Sequence, residues 1–353
     1  MLLFLLFVVV ASVFLPTTHA SPTNMTKNLK VLVSSNDFPE SGLNVLREHF
    51  TVLQSKYLHF GEEGIKENKE ELLKLIPGVS ALVWVSHHPI TKELLDKAGP
   101  QLKIVSTASA GYNHCNLPEL KARGIKLANT PNVLSAAVAE IAVGLILGAA
   151  RRFTENLDQV RRGEWEIGFS KVLGQDVRGS TVGVIGFGGI GQATVKRLSG
   201  FEVDKFLYTG HREKPEAKAL NAEFTSLDNL LQSSDFILLA VPLTDETRHM
   251  INATTLGKMK KNAILINVGR GDLVDQDALY EALKKKDIYA AGLDVTSPEP
   301  LPKDHKLLTL PNLFVLPHIG SATVRTRSDM AVLAANNVVN ALTGKPLITP
   351  VSF

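Results

Sequence analysis

The sequence predicts an α/β protein built from two doubly wound parallel-sheet domains. Three observations predict it. Short β-branched and aliphatic runs alternate with amphipathic helical stretches, the pattern of strand–helix–strand units. The alternation comes in two series, 30–124 and 181–344, separated by one helix apolar almost all round and a polar, glycine-rich stretch. At 353 residues the chain is long enough for two domains of ordinary size.

In the first series, KVLVSS (30–35) reads as a strand. Residues 41–50 read as a helix with Leu43, Leu46 and Phe50 on one face. ALVWVS (81–86) is a strand, 92–99 a helix ended by Gly99, LKIVSTAS (102–109) a strand, and 117–124 a helix capped by Gly124. VAEIAVGLILGAARRF (138–153) is predicted helical, and its apolar circumference suits a buried or interface position. Its length and Glu140 at its start argue against a membrane span. Residues 160–180 read as a loop. The second series gives six strands: TVGVIGFG, FLYTG, FILLAVP, AILINVG, AAGLDV and LFVLP. A last helix over 329–344 ends at Gly344, just before Pro346.

Apolar residues make up 44% of the chain and charged residues 21%, as in soluble globular proteins. A net charge of +3 is too small to favour nucleic acid or an acidic membrane surface as a partner. The single cysteine, Cys115, excludes an intrachain disulfide and a cysteine metal cluster, and suits a reducing compartment. Residues 1–25 are set aside from the fold. They are apolar from Leu2 to Leu15, and Thr18-His19-Ala20 resembles a signal-cleavage site. That run is shorter than the roughly 20 residues a membrane span needs, and no Lys or Arg precedes it. Met25 opens an alternative start immediately before the first strand, and sequons fall at Asn24 and Asn252. A start at Met25 implies a cytoplasmic protein; a working leader implies the secretory pathway.

Gly186, Gly188 and Gly191 stand in G-x-G-x-x-G spacing, after a β-branched strand and at the head of a helix. In that context the first glycine permits the tight turn, the second lets backbone approach a pyrophosphate, and the third lets helix and strand pack closely. The phosphates then meet the positive helix N-terminus. The next strand ends Thr209-Gly210-His211-Arg212-Glu213-Lys214, with no acid at 209–210 where an NAD site carries one for the ribose hydroxyls. Arg212 and Lys214 suit a 2′-phosphate instead, so NADPH is the expected cofactor. NADH remains the alternative, with Glu213 facing the ribose.

Three further segments end strands of the same series: INVGRGD with Arg270, GLDVTSPEPLP with Asp294 and Glu299, and VLPHIGS with His318. In doubly wound sheets ligands sit beyond the carboxyl ends of the strands, so these side chains can converge. No G-x-S-x-G occurs, and Cys115 has only the nearby His114 beside it. No metal-ligand pattern stands out; His87 and His88 are adjacent, and adjacent strand residues point to opposite faces.

These segments, with VIGFGGIG at 184–191, resemble the D-isomer-specific 2-hydroxyacid dehydrogenases over the chain from about Leu29 onward, and look most like the glyoxylate reductase/hydroxypyruvate reductase branch. The resemblance implies a Rossmann dinucleotide domain over 131–318 inserted into a flavodoxin-like substrate domain made of 27–130 and the returning segment 319–353. It implies NADPH-dependent reduction of small 2-oxo acids, glyoxylate to glycolate and hydroxypyruvate to D-glycerate. Arg270 would pair the substrate carboxylate and polarise the carbonyl. His318 would give the proton. Glu299 would hydrogen-bond the other ring nitrogen, a carboxylate beside a ring favouring its charged form. Asp294 would meet the nicotinamide carboxamide. The amides of Ala110 and Gly111 would hold the carboxylate, and Val85 and Ser86 would touch the substrate tail. Cofactor contacts are implied for Gly189, Ile190, Thr209, Gly210, His211, Pro242, Val268 and Gly320. A homodimer is expected, with the 138–153 helix near its interface. Two departures bear on selectivity: His211 stands where the branch often has Arg, and Gly168 replaces the second of two tryptophans, leaving Trp165. The rivals are an NAD-dependent enzyme for a larger acid such as 2-ketogluconate, and a dinucleotide-sensing corepressor. A formate dehydrogenase is disfavoured, since that relative carries Gln in place of Glu299.

Overall fold

The computed structural model describes residues 26–58, 62–86, 88–165, 168–169 and 172–353. The expected leader, residues 1–25, and His87 lie outside the described residues. Every described strand pair in the two sheets is parallel, because each strand is followed by a crossover rather than a tight hairpin turn. One sheet holds β1 (Lys30–Val33), β2 (Thr51–Gln54), β3 (Ala81–Trp84), β4 (Ile104–Thr107) and β5 (Lys126–Ala128) in the order β2-β1-β3-β4-β5. The other holds β6 (Thr181–Ile185), β7 (Lys205–Thr209), β8 (Ala222–Phe224), β9 (Phe236–Leu239), β10 (Ile264–Asn267), β11 (Ala290–Leu293) and β12 (Leu313–Val315), in the order β12-β11-β10-β9-β6-β7-β8. These are the flavodoxin-like and Rossmann orders, and the second reverses direction between β6 and β9, directly beside the glycine loop.

The central strands β3, β4, β9, β10 and β11 are buried at every residue, which is why they read as unbroken apolar runs. The strands that sequence reasoning passed over are edges. β2 and β8 leave most of their residues at least partly exposed, and β5 and β8 have only three residues each, so neither periodicity nor an apolar run marks them.

The helices are α1 (Glu40–His49), α2 (Glu62–Leu75), α3 (Lys92–Ala98), α4 (Leu117–Ala122), α5 (Ser135–Ala150), α6 (Phe153–Arg162), α7 (Gly189–Leu198), α8 (Leu227–Ser233), α9 (Ala253–Leu256), α10 (Gln276–Lys285) and α11 (Val324–Leu342). The expected single helix over 138–153 starts earlier and stops at Ala150, and the expected loop from 160 begins inside a helix. Two features mark the break. Arg152 adopts a left-handed conformation (φ 55°), and the Ala150 carbonyl accepts the Gln175 N–H at 3.0 Å. Helix α5 covers the second sheet so closely that glycines mark the contact. A Cβ on Gly148 would run into the Phe314 ring, and one on Gly292 would press on Leu145.

Helix α11 is last in sequence but packs on the first sheet. Ala331, Ala334, Ala335 and Val338 share a core with Val31, Val33, Leu43 and Leu46, and buried Ser106 donates to the Ala334 carbonyl at 2.9 Å. The tail then bridges β5 through Pro350 and Ala128. Each fully buried Leu, Val or Phe in these cores contributes about 1.5–3 kcal/mol. No helix among the described residues is long and apolar enough to cross a membrane. What this architecture provides is an edge where the loops after β6, β7, β9, β10, β11 and β12 all emerge, facing the loops after β3 and β4.

Candidate active site

The glycine loop leaves β6 at that edge. Gly186 has φ 97°, a conformation side chains rarely adopt, and a Cβ there would sit 2.6 Å from the Ala240 carbonyl oxygen. A Cβ on Gly191 would fall on the Gly186 carbonyl, so only glycine lets α7 approach β6 this closely. Gly188 caps α7 and has open space where a Cβ would be. Its helix therefore opens with backbone N–H groups and no side-chain cap, the cradle a pyrophosphate requires. The described residues fit a dinucleotide on these grounds. Gly189 turns towards Asn132 and Ser135, and half-buried Ile190 packs on the second core. Thr209 ends β7, and Gly210, His211 and Arg212 are exposed beyond it, followed by half-buried Lys214. Pro242 follows β9 with its carbonyl accepting the Thr247 hydroxyl, and Val268 is buried after β10.

Arg270 follows β10 on a loop shaped by Asn267. The buried Asn267 side chain accepts from the Gly269 N–H at 3.0 Å and donates to the Arg270 carbonyl at 2.8 Å. The guanidinium donates through Nε to Asn113 Oδ1 at 3.0 Å and through one Nη to the Gly269 carbonyl at 2.8 Å. Asn113 belongs to the loop after β4, so Arg270 reaches across from one sheet's edge to the other's. Gly111 lies against its free end: a Cβ there would fall on the guanidinium.

His318 follows β12. Its ring Nδ1 lies 2.8 Å from Glu299 Oε2, and Glu299 Oε1 accepts the Thr296 N–H at 3.0 Å. Burial pushes the Glu299 carboxyl up, but the His318 hydrogen bond and charge, the Thr296 amide and the Arg270 charge outweigh it and hold the carboxyl below its usual value. Glu299 is therefore ionised near neutral pH and can only accept. Nδ1 then carries the hydrogen of that bond, leaving Nε2 as the atom that gives or takes a proton. The His318 backbone is left-handed (φ 54°), a strained state for a residue other than glycine. Asp294 holds it there. Its carbonyl accepts the His318 N–H, and its two carboxylate oxygens accept Ile319 N–H and Gly320 N–H, each at 2.8 Å. Burial pushes the Asp294 carboxyl above its ordinary range, against the pull of those amides and of His318.

The facing loop from the first sheet supplies the floor. Ser109 donates to the Gly111 carbonyl at 2.6 Å, and Asn129 donates to the Ala110 carbonyl at 2.6 Å, fixing the backbone at the two residues expected to meet a carboxylate. Half-buried Val85 follows β3; the Ser86 hydroxyl is buried and accepts the His88 N–H at 3.0 Å. His88 lies close enough to feel the Glu299 charge, which opposes the burial that lowers its proton affinity. Burial pushes the Cys115 thiol up to about 12, so it is no nucleophile. Among the described residues no three His, Cys, Asp or Glu side chains gather as metal ligands.

The structure thus brings Arg270, Glu299 and His318 to one edge with Gly111 and the glycine loop. Sequence reasoning missed the residues that hold them: Asn267, Asn113, Thr296 and Gln276. Gln276 clamps Ser297 by accepting its N–H at 2.9 Å and donating to its carbonyl. Only an Asn at a strand end before Gly-Arg carried any local signal.

Residues 143–320 match the family described as D-isomer specific 2-hydroxyacid dehydrogenase, NAD binding domain. The glyoxylate reductase/hydroxypyruvate reductase of Homo sapiens is 48% identical over 280 residues, 79% of this chain and 85% of that one. The glyoxylate reductase of Thermococcus kodakarensis is 45% identical over 307 residues, 85% of this chain and 90% of its own. The NADPH-dependent glyoxylate/hydroxypyruvate reductase of Sinorhizobium meliloti, solved in complex with NADP and malonate, has a TM-score of 0.76 at 30% identity, covering 92% of this chain and 97% of that one.

His114, buried beneath the facing loop and 3.2 Å from the Thr107 hydroxyl, is lowered to about 4, first by burial and then by the Arg270 charge. Its folded-state affinity for protons lies below that of the unfolded chain. Its stabilising contribution is therefore present above about pH 6.5 and is lost as pH falls towards 4. Urea unfolding should lose about 1.5 kcal/mol more between pH 6.5 and 5 in the wild type than in His114→Gln. Equal pH slopes for the two proteins would refute a neutral, buried His114.

Proposed function

Because the chain belongs to the D-isomer-specific 2-hydroxyacid dehydrogenase family, we propose that it is an NADPH-dependent reductase of small 2-oxo acids, acting on glyoxylate and hydroxypyruvate. The observation that carries this reading is the His318–Glu299 pair opposite Arg270, at the sheet edge that holds the glycine loop. When bound, the reduced nicotinamide supplies the hydride to the keto carbon. The chain's own residues do the rest. Arg270 presents a planar fork to the planar carboxylate and draws electron density from the carbonyl. The Ala110–Gly111 backbone, fixed by Ser109 and Asn129, offers its amides to the same carboxylate. His318 gives the Nε2 proton to the oxygen that becomes the alkoxide, while ionised Glu299 accepts from Nδ1 and fixes the ring. Asp294 keeps the His318 turn in place through its bonds to the Ile319 and Gly320 amides.

Arg212 and Lys214 beyond β7, with no carboxylate at Thr209 or Gly210, support NADPH over NADH. The complex of the Sinorhizobium relative with NADP and malonate accords with a phosphorylated dinucleotide and a small carboxylate as ligands. A homodimer accords with the exposed apolar run of Phe153, Leu157 and Val160 on α6, continued by Trp165, Phe169 and Leu173. A cytoplasmic location accords with the lone, unbridged Cys115.

The purified protein should oxidise NADPH when given glyoxylate or hydroxypyruvate, and NADH less efficiently at subsaturating concentration. Tight cofactor binding with no turnover of any small 2-oxo acid would favour the sensor reading instead. His318→Ala should lower kcat by a factor on the order of 10²–10⁴; undiminished turnover removes His318 from its role. Gly111→Ala should raise KM for the 2-oxo acid by roughly 10–100-fold, the loss of a charge-assisted pairing. Its melting temperature should hardly move, because the atom displaced is the flexible end of Arg270. An unchanged KM would show that Arg270 does not bind the carboxylate.

A further inference from the structure

We infer that Tyr208 is a positioning residue that sets the preference for the 2′-phosphorylated dinucleotide, an inference that rests on the NADPH reading above. Tyr208 is the penultimate residue of β7 and is 1% exposed, yet its hydroxyl reaches the surface loop that follows. That hydroxyl accepts the Lys214 N–H at 2.8 Å. The ring itself is held from two sides. Phe187, the residue between Gly186 and Gly188, stacks on it with centroids 4.2 Å apart and planes at 27°. Phe224 on β8 tilts against it at 5.3 Å. One buried ring therefore joins the pyrophosphate-binding turn to the loop that meets the ribose.

The loop between has few other ties. Residues 210–213 are all exposed, and on the strand side the Gly186 N–H donates to the Thr209 carbonyl at 3.0 Å. At the far end Lys214 precedes the turn 215–220, whose Ala217 is buried in the second core. The Tyr208 hydroxyl thus fixes where the backbone of Lys214 lies and, through the short span between, where Arg212 can reach. Long cationic side chains find a phosphate only if their backbone is placed, because each lost rotamer otherwise opposes binding. NADH has no 2′-phosphate and draws little from this placement. Its binding depends on the glycine turn, which the Phe187–Tyr208 ring contact supports with or without the hydroxyl.

Tyr208→Phe removes one oxygen atom and keeps the ring. Steady-state kinetics of wild type and variant should be measured with NADPH and with NADH at saturating glyoxylate, alongside thermal melts. We expect KM for NADPH to rise roughly three- to tenfold, the worth of one net hydrogen bond. The kcat should be unchanged, kcat/KM for NADH should stay within about twofold, and melting should be close to that of the wild type. In an Arg212→Ala background the same substitution should have a smaller effect on NADPH, as coupled residues require. If the wild type prefers NADPH and Tyr208→Phe leaves the ratio of the two cofactors unchanged, or lowers both equally, this inference falls and the cofactor reading survives. If the wild type prefers NADH, the cofactor reading falls and takes this inference with it.

Discussion

The carboxylate of Asp294 holds the reactive edge together. It is 2% exposed, and its two oxygens take the N–H groups of Ile319 and Gly320, while its backbone carbonyl takes that of His318. A buried charge is costly unless hydrogen bonds replace water, and here three consecutive amides of one turn converge on one residue. The same bonds keep His318 in a left-handed conformation that its own side chain disfavours. The backbone ladder runs on past the strands as well, since the Asp294 N–H donates to the Asn267 carbonyl. The loops carrying Arg270, Asp294 and His318 are therefore one hydrogen-bonded unit.

Close backbone packing makes that unit stiff. A Cβ on Gly271 would fall on the Thr296 carbonyl, so the loop of Arg270 lies directly on the loop leading to Glu299. Gln276 clamps Ser297 from below, and the Thr296 N–H returns to Glu299 itself. The Glu299 carboxylate in turn accepts from the His318 ring and senses the Arg270 charge, two groups on loops that follow different strands. A carboxylate that accepts a ring N–H and faces a guanidinium is cheaper to hold half-buried than one left without partners. The neutral His114 completes the balance, since a further cation under Arg270 would oppose it.

Much of this was legible in one dimension. The glycine spacing, the missing acid after β7, and the Arg, Glu and His that follow strands were all readable, because each depends on local conformation or on a strand's end. The central strands were readable because burial on both faces leaves no choice but apolar residues. The edges β2, β5 and β8 were not, since a short half-exposed strand has no pattern of its own. Nor was the break between α5 and α6, which depends on Gln175 reaching the Ala150 carbonyl from 25 positions on.

What the sequence by itself determined is the inventory: two α/β series, a turn made for phosphates, and three residue types suited to reducing a keto acid. The series and the turn follow from short-range sterics and from periodicity, which need no knowledge of distant residues, and the chemistry of the three residue types is what the family resemblance implies. The tertiary structure alone decided the company each one keeps. Asn113 meets Arg270 across 157 positions, Asn267 shapes its loop, and the Tyr208 hydroxyl reaches Lys214 because two aromatic rings hold it. A polar side chain's partner is fixed by where the strands lie in the sheet, and strand order is a property of the folded chain rather than of any segment in it.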